Sequence, residues 1–245
     1  MALRQTEGLI GSLVHLLGLE LPVPDHSTLS RRAETLAVVR PDTRRDAEPL
    51  HLLVDSMGLT LCGAGEWLSE KHGTKRRRSW RTLHLGVDAD TGQIVATALT
   101  SPETDDAAQV GPLLNQIDGP IASLTGDGAY DREGVYAAVL QRHPEAAVII
   151  PPRSDAVLSE TAETAPTQRD RHLQLITEPG RMAWQTVSGY NRRARAEAAV
   201  SRYKRVIGAA LRSQTDPRRA TEVTIAVEVL NRMLGLGHPN YVRMT

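Results

Sequence analysis

The chain alternates between stretches whose apolar residues recur at helical spacing and stretches that are apolar on both faces of a strand. Near the start, Ile10, Leu13, Val14 and Leu17 recur at helical spacing, so residues 2–18 read as an amphipathic helix. Gly18 and the Pro22/Pro24 pair end it. Asp25 or Ser27 then caps a second helix over HSTLSRRAETLAVV, with Arg31 and Arg32 exposed. Two helices around a short turn fit either a helix-turn-helix or the packing helices of a partial bundle. Residues 41–49, PDTRRDAEP, are polar and read as a linker.

A sheet pattern follows. HLLVDSMGLTL (51–61) is apolar on both faces, as a central strand should be. SWRTLHLGVD (79–88) and QIVATALTS (93–101) flank the turn Asp88-Ala89-Asp90-Thr91-Gly92 and predict a hairpin. Thr104 or Asp105 is placed to cap a helix through Gln116. IASLTGD (121–127) predicts a short strand, Asp131 a cap for a helix through His143, and AAVIIPP (146–152) a fifth strand. The order β-β-β-α-β-α-β is an α/β arrangement, a mixed sheet opening with a meander. Residues 153–188 show weak periodicity and read as an irregular insertion. A long helix spans 189–211, and Pro217 opens a last helix reaching Leu234.

Composition narrows the class. A chain of 245 residues fits one full domain plus a smaller segment. With Phe absent, the core must come from Leu, Val, Ile and Ala. The single Cys62 excludes an internal disulfide and a cysteine-based zinc site, and makes a reduced, cytosolic setting the default. No apolar run of ~18 residues suggests a membrane span. The N-terminal stretch is no better as a signal peptide, because His15 and Glu20 break its apolar part.

Net charge is zero, yet basic residues are clustered. Lys75, Arg76, Arg77, Arg78 and Arg81 stand together with no acid between them, and residues 190–219 hold nine Lys/Arg against Glu197 and Asp216. Such blocks are either solvated faces or contacts for phosphate. Trp67 and Trp80 bracket the first block; they are placed to stack on bases, though a Trp opening a strand is more often core. His72 and His84 have no ligand partner at diagnostic spacing, and no phosphate-cradling loop, HExxH or GxSxG occurs.

Three carboxylates invite chemistry. Asp55 stands mid-strand in the most apolar run, where a lone carboxylate would cost several kcal/mol. It needs a divalent cation, an arginine or backbone N–H donors. Asp127 lies between Gly126 and Gly128, whose bare backbone would let a ligand approach, or else it forms an ordinary Asp-Gly turn. Glu197 belongs to YNRRARAEAAVSRYK. Were that stretch helical, Tyr190, Arg193 and Lys204 would fall within about 40° of Glu197 on one face. An Arg193–Glu197 surface pair is the plain alternative. Three such oxygen donors suit Mg²⁺ or Mn²⁺, commonly two ions about 4 Å apart acting on a phosphodiester.

These residues resemble the DDE transposases of bacterial insertion sequences that carry a Y-(2)-R-(3)-E-(6)-K signature. The matching segments are LHLLVDS around Asp55, KHG at Lys71 to Gly73 with RRSWRTLHLGVD after it, TGDGAYD around Asp127, IIPPR, and the signature from Tyr190 to Lys204. LRQTEGLIGSL and VPDHSTLSRR match upstream, so the likeness covers essentially the whole chain. It implies a ribonuclease H-like fold: a mixed five-stranded sheet flanked by helices, residues 46–245, with the insertion at 153–188. Residues 1–45 would form a small N-terminal helical segment, part of a DNA-binding or dimerisation region.

The resemblance also implies Asp55, Asp127 and Glu197 as catalytic, metal-binding residues with two Mg²⁺ or Mn²⁺ ions. Tyr190, Arg193, Lys204, Lys75, Arg76, Arg77 and Arg78 become DNA-contacting residues. The implied activity is cleavage at the element's ends and strand transfer into target DNA, with terminal inverted repeats as substrate. The working form would be at least a dimer, in the cytoplasm at the nucleoid. One departure stands out: relatives carry some tens of residues before the LRQTEGL region, so the chain reads as shortened at its N-terminus. A non-catalytic, DNA-binding or inhibitory remnant is therefore one alternative. A nuclease on the same fold without strand transfer is another.

Overall fold

The computed structural model describes residues 3–36, 48–61 and 79–237. Lys75, Arg76, Arg77 and Arg78, with Cys62, Trp67, His72 and most of the expected linker, lie outside the described residues. Helix α1 (Leu3–Leu16) stops before Gly18, and α2 (His26–Arg32) starts where Asp25 caps it, its carboxylate accepting from the Thr28 amide at 2.7 Å. Glu7 ties the two together by accepting from the backbone N–H of His26 at 2.9 Å.

The longest apolar run makes the longest strand. Strand β1 (Leu50–Leu61) pairs antiparallel with β2 (Trp80–Asp88), which pairs antiparallel with β3 (Ile94–Thr100). On its other edge β1 runs parallel to β4 (Ile121–Thr125), and β4 parallel to β5 (Ala147–Ile149). The order β3-β2-β1-β4-β5, with these directions, is the ribonuclease H-like sheet.

A sixth strand was not expected. Residues 189–211 read as one helix, but Gly208 takes φ 112 and turns the chain back. The two residues that follow, β6 (Ala210–Leu211), pair parallel with Thr60 and Leu61. They fill part of the β1 edge that β4 leaves, since β4 pairs only with Leu50 to Leu53.

The remaining helices follow in chain order: α3 (Val110–Leu114), α4 (Glu133–Arg142), α5 (Gln168–Thr177), α6 (Arg181–Ser188), α7 (Ala194–Val206) and α8 (Asp216–Gly235). Because side chains alternate along a strand, β1 feeds two cores. Leu50, Leu52 and Val54 pack with Leu113, Val135 and Val139 of α3 and α4. Leu53, Met57 and Leu59 pack with Ala196, Ala199 and Tyr203 of α7 and with Val223 and Val227 of α8. Each fully buried leucine contributes about 2 kcal/mol. Among the described residues the result is three layers, helices on both faces of the sheet. No described helix is long and apolar enough to cross a membrane.

Four local expectations need correction. Residues 153–188 are irregular only as far as 167, since α5 and α6 lie in the second half. Their periodicity was weak because hydrogen bonds anchor them in place of an apolar stripe. Thr167 and Asp170 form a capping box at the start of α5, and Asp170 is the residue α5 buries. Trp184 of α6 is fully buried and donates from Nε1 to His172 Nδ1 at 2.8 Å, while His172 Nε2 donates to the Val148 carbonyl at 2.8 Å. The insertion is thereby bound to β5.

Asp131 does not cap α4. Its carboxylate is wholly buried and holds Arg169 at 2.8 and 3.0 Å, and it also accepts from the Arg153 amide at 3.0 Å. Neither Thr104 nor Asp105 caps a helix to Gln116. Asp106 precedes a single 3-10 turn (Ala107–Gln109), and α3 ends at Leu114, its span limited by Gly111 and Pro112. Trp80 is 53% exposed, not core, with its ring over Gly58, where a side chain would otherwise stand.

Two outcomes follow for stability. Arg169→Ala strands the buried Asp131 carboxylate, and urea unfolding should show a loss of about 3 kcal/mol; a loss below about 1 kcal/mol would mean the pair is dispensable. Burial holds His172 below the ordinary histidine value of 6.5, against the opposing pull of the Val148 carbonyl and Asp131. This contribution is complete above that value. It falls as pH drops through it, because the unfolded chain binds a proton that the folded chain refuses. Denaturation midpoints at about pH 7.5 and about pH 5.5 should differ, and the difference should shrink in His172→Gln.

Candidate active site

The strand order reverses direction at β1, whose neighbours are β2 on one edge and β4 on the other. Clefts of α/β sheets form at such points, beyond the carboxyl ends of parallel strands. The last β1–β4 register pair is Leu53 with Thr125. Asp55 and Asp127 each lie two residues past it, so the register brings them level, on the sheet face that α7 covers.

Asp55 is mostly buried, its side chain 15% exposed. One oxygen, Oδ1, accepts from the Ser56 amide at 3.0 Å. Burial pushes its carboxyl above the usual aspartate value; the Ser56 amide and Arg193 pull it down, and Asp127 and Glu197 push it up. Asp127 precedes a 3-10 turn (Gly128–Tyr130) and caps it, Oδ1 accepting from the Ala129 amide at 2.9 Å. That bond fixes the carboxylate and leaves Oδ2 facing α7.

Gly126 has a different use from the one expected. A Cβ there would stand 2.9 Å from Cδ2 of Tyr130 and 3.0 Å from Cγ2 of Val54. The bare backbone admits the Tyr130 ring, not a ligand.

The signature stretch is also shaped differently. Gly189, at φ 72, closes α6, and Tyr190–Arg193 form a 3-10 turn before α7 begins at Ala194. The backbone is not one continuous α-helix, but side chains three apart eclipse in a 3-10 turn, so Tyr190 stays on the side of Arg193. Its half-buried ring lies 5.1 Å from that of Trp184, which stands edge-on to His172. Arg193 and Glu197 remain one turn apart, with Arg193 reaching in to the sheet and the Glu197 side chain 60% exposed. Lys204 is exposed in the last turn of α7.

Arg193 joins the three carboxylates. Its Nη2 lies 3.4 Å from Asp127 Oδ2 and 3.7 Å from Asp55 Oδ1, and its Nη1 donates to Glu197 Oε1. The plain partners weighed for Asp55 and Glu197 are thus both present, and they are one residue. Among the described residues no group of three His, Cys, Asp or Glu side chains is arranged to hold a metal ion as it stands. The three side chains are all carboxylates, the hard oxygen donors that suit Mg²⁺ or Mn²⁺.

A second cluster escaped the sequence reading. On the opposite face of β1, Ser56 donates to Asp106 Oδ2 at 2.9 Å, and Asp106 Oδ1 lies 3.3 Å from Nδ1 of the fully buried His84. His84 Nε2 pairs with Thr100 Oγ1 at 2.8 Å. The signal was the strand alternation itself, which places Ser56 and His84 opposite one another. The basic stretch also differs from expectation. Arg195 and Arg202 donate to carbonyls of the β2–β3 turn, Arg192 pairs with Asp90, and Arg219 with Asp216. Those cations hold the fold together.

A ribonuclease H-like sheet with aspartates at its switch point and a glutamate on the helix above defines a class of nucleic-acid-processing domain. A transposase DDE domain model matches residues 46–232, and a second model of the same description matches residues 1–64. The chain belongs to the transposase DDE domain family.

Among solved structures, a piggyBac transposase synaptic complex with hairpin DNA is similar at 12% identity and TM-score 0.45, over 76% of this chain and 47% of that one. The Mos1 strand transfer complex is similar at 10% identity and TM-score 0.32, over 96% of this chain and 72% of that one. The topology above, rather than these distant matches, carries the fold. The chain spans about half the length of the piggyBac transposase chain.

Gly126→Ala should test how tightly Asp127 is set. The added methyl overpacks Tyr130 and Val54, and a loss of about 1–3 kcal/mol is expected by urea unfolding. An unchanged midpoint would show that the ring can retreat.

Proposed function

We propose that the chain is the catalytic part of a DNA transposase, cleaving phosphodiester bonds at the ends of a mobile element and transferring the freed 3′-hydroxyl to target DNA. The supporting observation is the convergence of Asp55, Asp127 and Glu197 on one point of a sheet belonging to this family. In this reading those three residues hold Mg²⁺ or Mn²⁺, two ions in the usual arrangement. When bound, the ions supply an activated attacking oxygen and charge stabilisation for the leaving one.

The chain's own residues set the geometry. The Ser56 amide orients Asp55, and the Ala129 amide orients Asp127, so neither carboxylate has to be fixed during the reaction. Lys204, exposed on α7, is assigned to the phosphate backbone with Arg193, Lys75, Arg76, Arg77 and Arg78. Tyr190, set against Trp184, is assigned to the same nucleic-acid surface. Residues 46–245 form the catalytic domain in this reading, and 1–45 a helical segment serving DNA or a second copy. The substrates are terminal inverted repeats and target DNA, handled by at least a dimer at the nucleoid.

The test uses the purified chain and a duplex containing the DNA that borders its own gene. Cleavage is expected with Mg²⁺ or Mn²⁺ and not with chelator. Asp55→Ala, Asp127→Ala and Glu197→Ala should each reduce it to background while circular dichroism stays unchanged. Cleavage that survives Asp127→Ala sinks the assignment. Folded protein that binds the duplex but never cuts it supports the remnant reading, and cutting without joined product supports a nuclease.

A further inference from the structure

Arg193 links parts of the chain that are far apart in sequence. Its side chain is 17% exposed and meets three carboxylates from three separate segments: β1, the turn after β4, and α7. Its Nε is buried without a hydrogen-bond partner. The guanidinium is therefore held through its two terminal nitrogens, both turned to carboxylates.

Three like charges drawn to one point repel each other, and repulsion is strongest around the least hydrated of them, Asp55. A resident cation offsets that repulsion before any other ligand arrives. Arginine is well suited to this role, because its flat fork reaches several carboxylates at once and does not lose its proton.

We infer that Arg193 is the positioning residue of the carboxylate triad: it assembles the three side chains while no divalent ion is bound, and it must swing aside for the ion to enter. The inference rests on the metal-site reading above. Arg193 and the divalent ion compete for the same oxygens. Removing the guanidinium thus loosens the empty site and tightens ion binding, two effects of opposite sign. A merely structural arginine would weaken both folding and ion binding.

The experiment is a Mn²⁺ titration followed by calorimetry, on the full chain without DNA, comparing wild type with Arg193→Gln. The variant should bind Mn²⁺ about 10-fold more tightly. It should also melt at a lower temperature in chelator and regain more of its stability on adding Mn²⁺ than wild type does. Equal or weaker binding by a folded Arg193→Gln overturns the inference.

Should Arg193→Gln not fold, the wild type carries the test through the nitrogen-15 resonance of the Arg193 Nε–H group. That signal should shift as Mg²⁺ is added, and a signal unmoved at saturating Mg²⁺ overturns the inference. Asp55→Asn separates this inference from the site assignment. Wild-type binding that Asp55→Asn abolishes but Arg193→Gln leaves unchanged refutes the role of Arg193 alone. Binding that Asp55→Asn leaves intact refutes the site.

Discussion

An ionised aspartate in the central strand of an apolar sheet needs a positive charge within reach, and much of this molecule is arranged around that need. Asp55 follows Leu52, Leu53 and Val54, all of them buried. Water cannot solvate it fully, and its backbone bond to Ser56 satisfies only one oxygen. Arg193 supplies the charge. To do so, the turn that carries it, and α7 directly after it, must lie over the sheet at this point, on this face. The small residues Ala196 and Ala199 let α7 lie close against Leu53 and Met57, and so hold the guanidinium at that depth.

The same constraint accounts for Asp127 and Glu197. Parallel pairing fixes Asp127 level with Asp55, and the 3-10 turn that it caps points its second oxygen at α7. Glu197 lies one helical turn beyond Arg193 and accepts from its other nitrogen. A single guanidinium thus reports the geometry of three chain segments. That single positive charge offsets only part of the charge of the three carboxylates.

Much of this was legible in the sequence, and the reasons differ by residue. The strands β1 to β5 were visible because apolar runs on both faces separate cleanly from turn residues such as 88–92. Asp55 stood out as a charge among apolar neighbours, and Arg193 and Glu197 as an i, i+4 pair. The stretch holding Tyr190, Arg193, Glu197 and Lys204 is not one continuous α-helix. Gly189 in the left-handed region gives Tyr190 a 3-10 backbone, and no periodicity argument could weigh that glycine against the helical pattern. The insertion was opaque because its two helices bury a carboxylate and a tryptophan, not a stripe. Long-range partners were opaque in principle. That Asp131 would hold Arg169, or Arg202 the Gly92 carbonyl, depends on chain paths that no local spacing encodes. For the same reason the sequence could not show that Arg192, Arg195 and Arg202 of the basic stretch go to the protein's own β2–β3 turn.

The two-residue strand β6 gives the architecture a common reference line. β4 leads into Asp127 from its pairing with the start of β1, Asp55 is part of β1, and the chain leaving α7 pairs with the end of β1. All three carboxylates are therefore surveyed from one strand, as points measured from a single ruler. The place of each acidic group is thus set by where its segment meets that strand, at the start of β1 for Asp127 and at the end of β1 for the chain that follows Glu197.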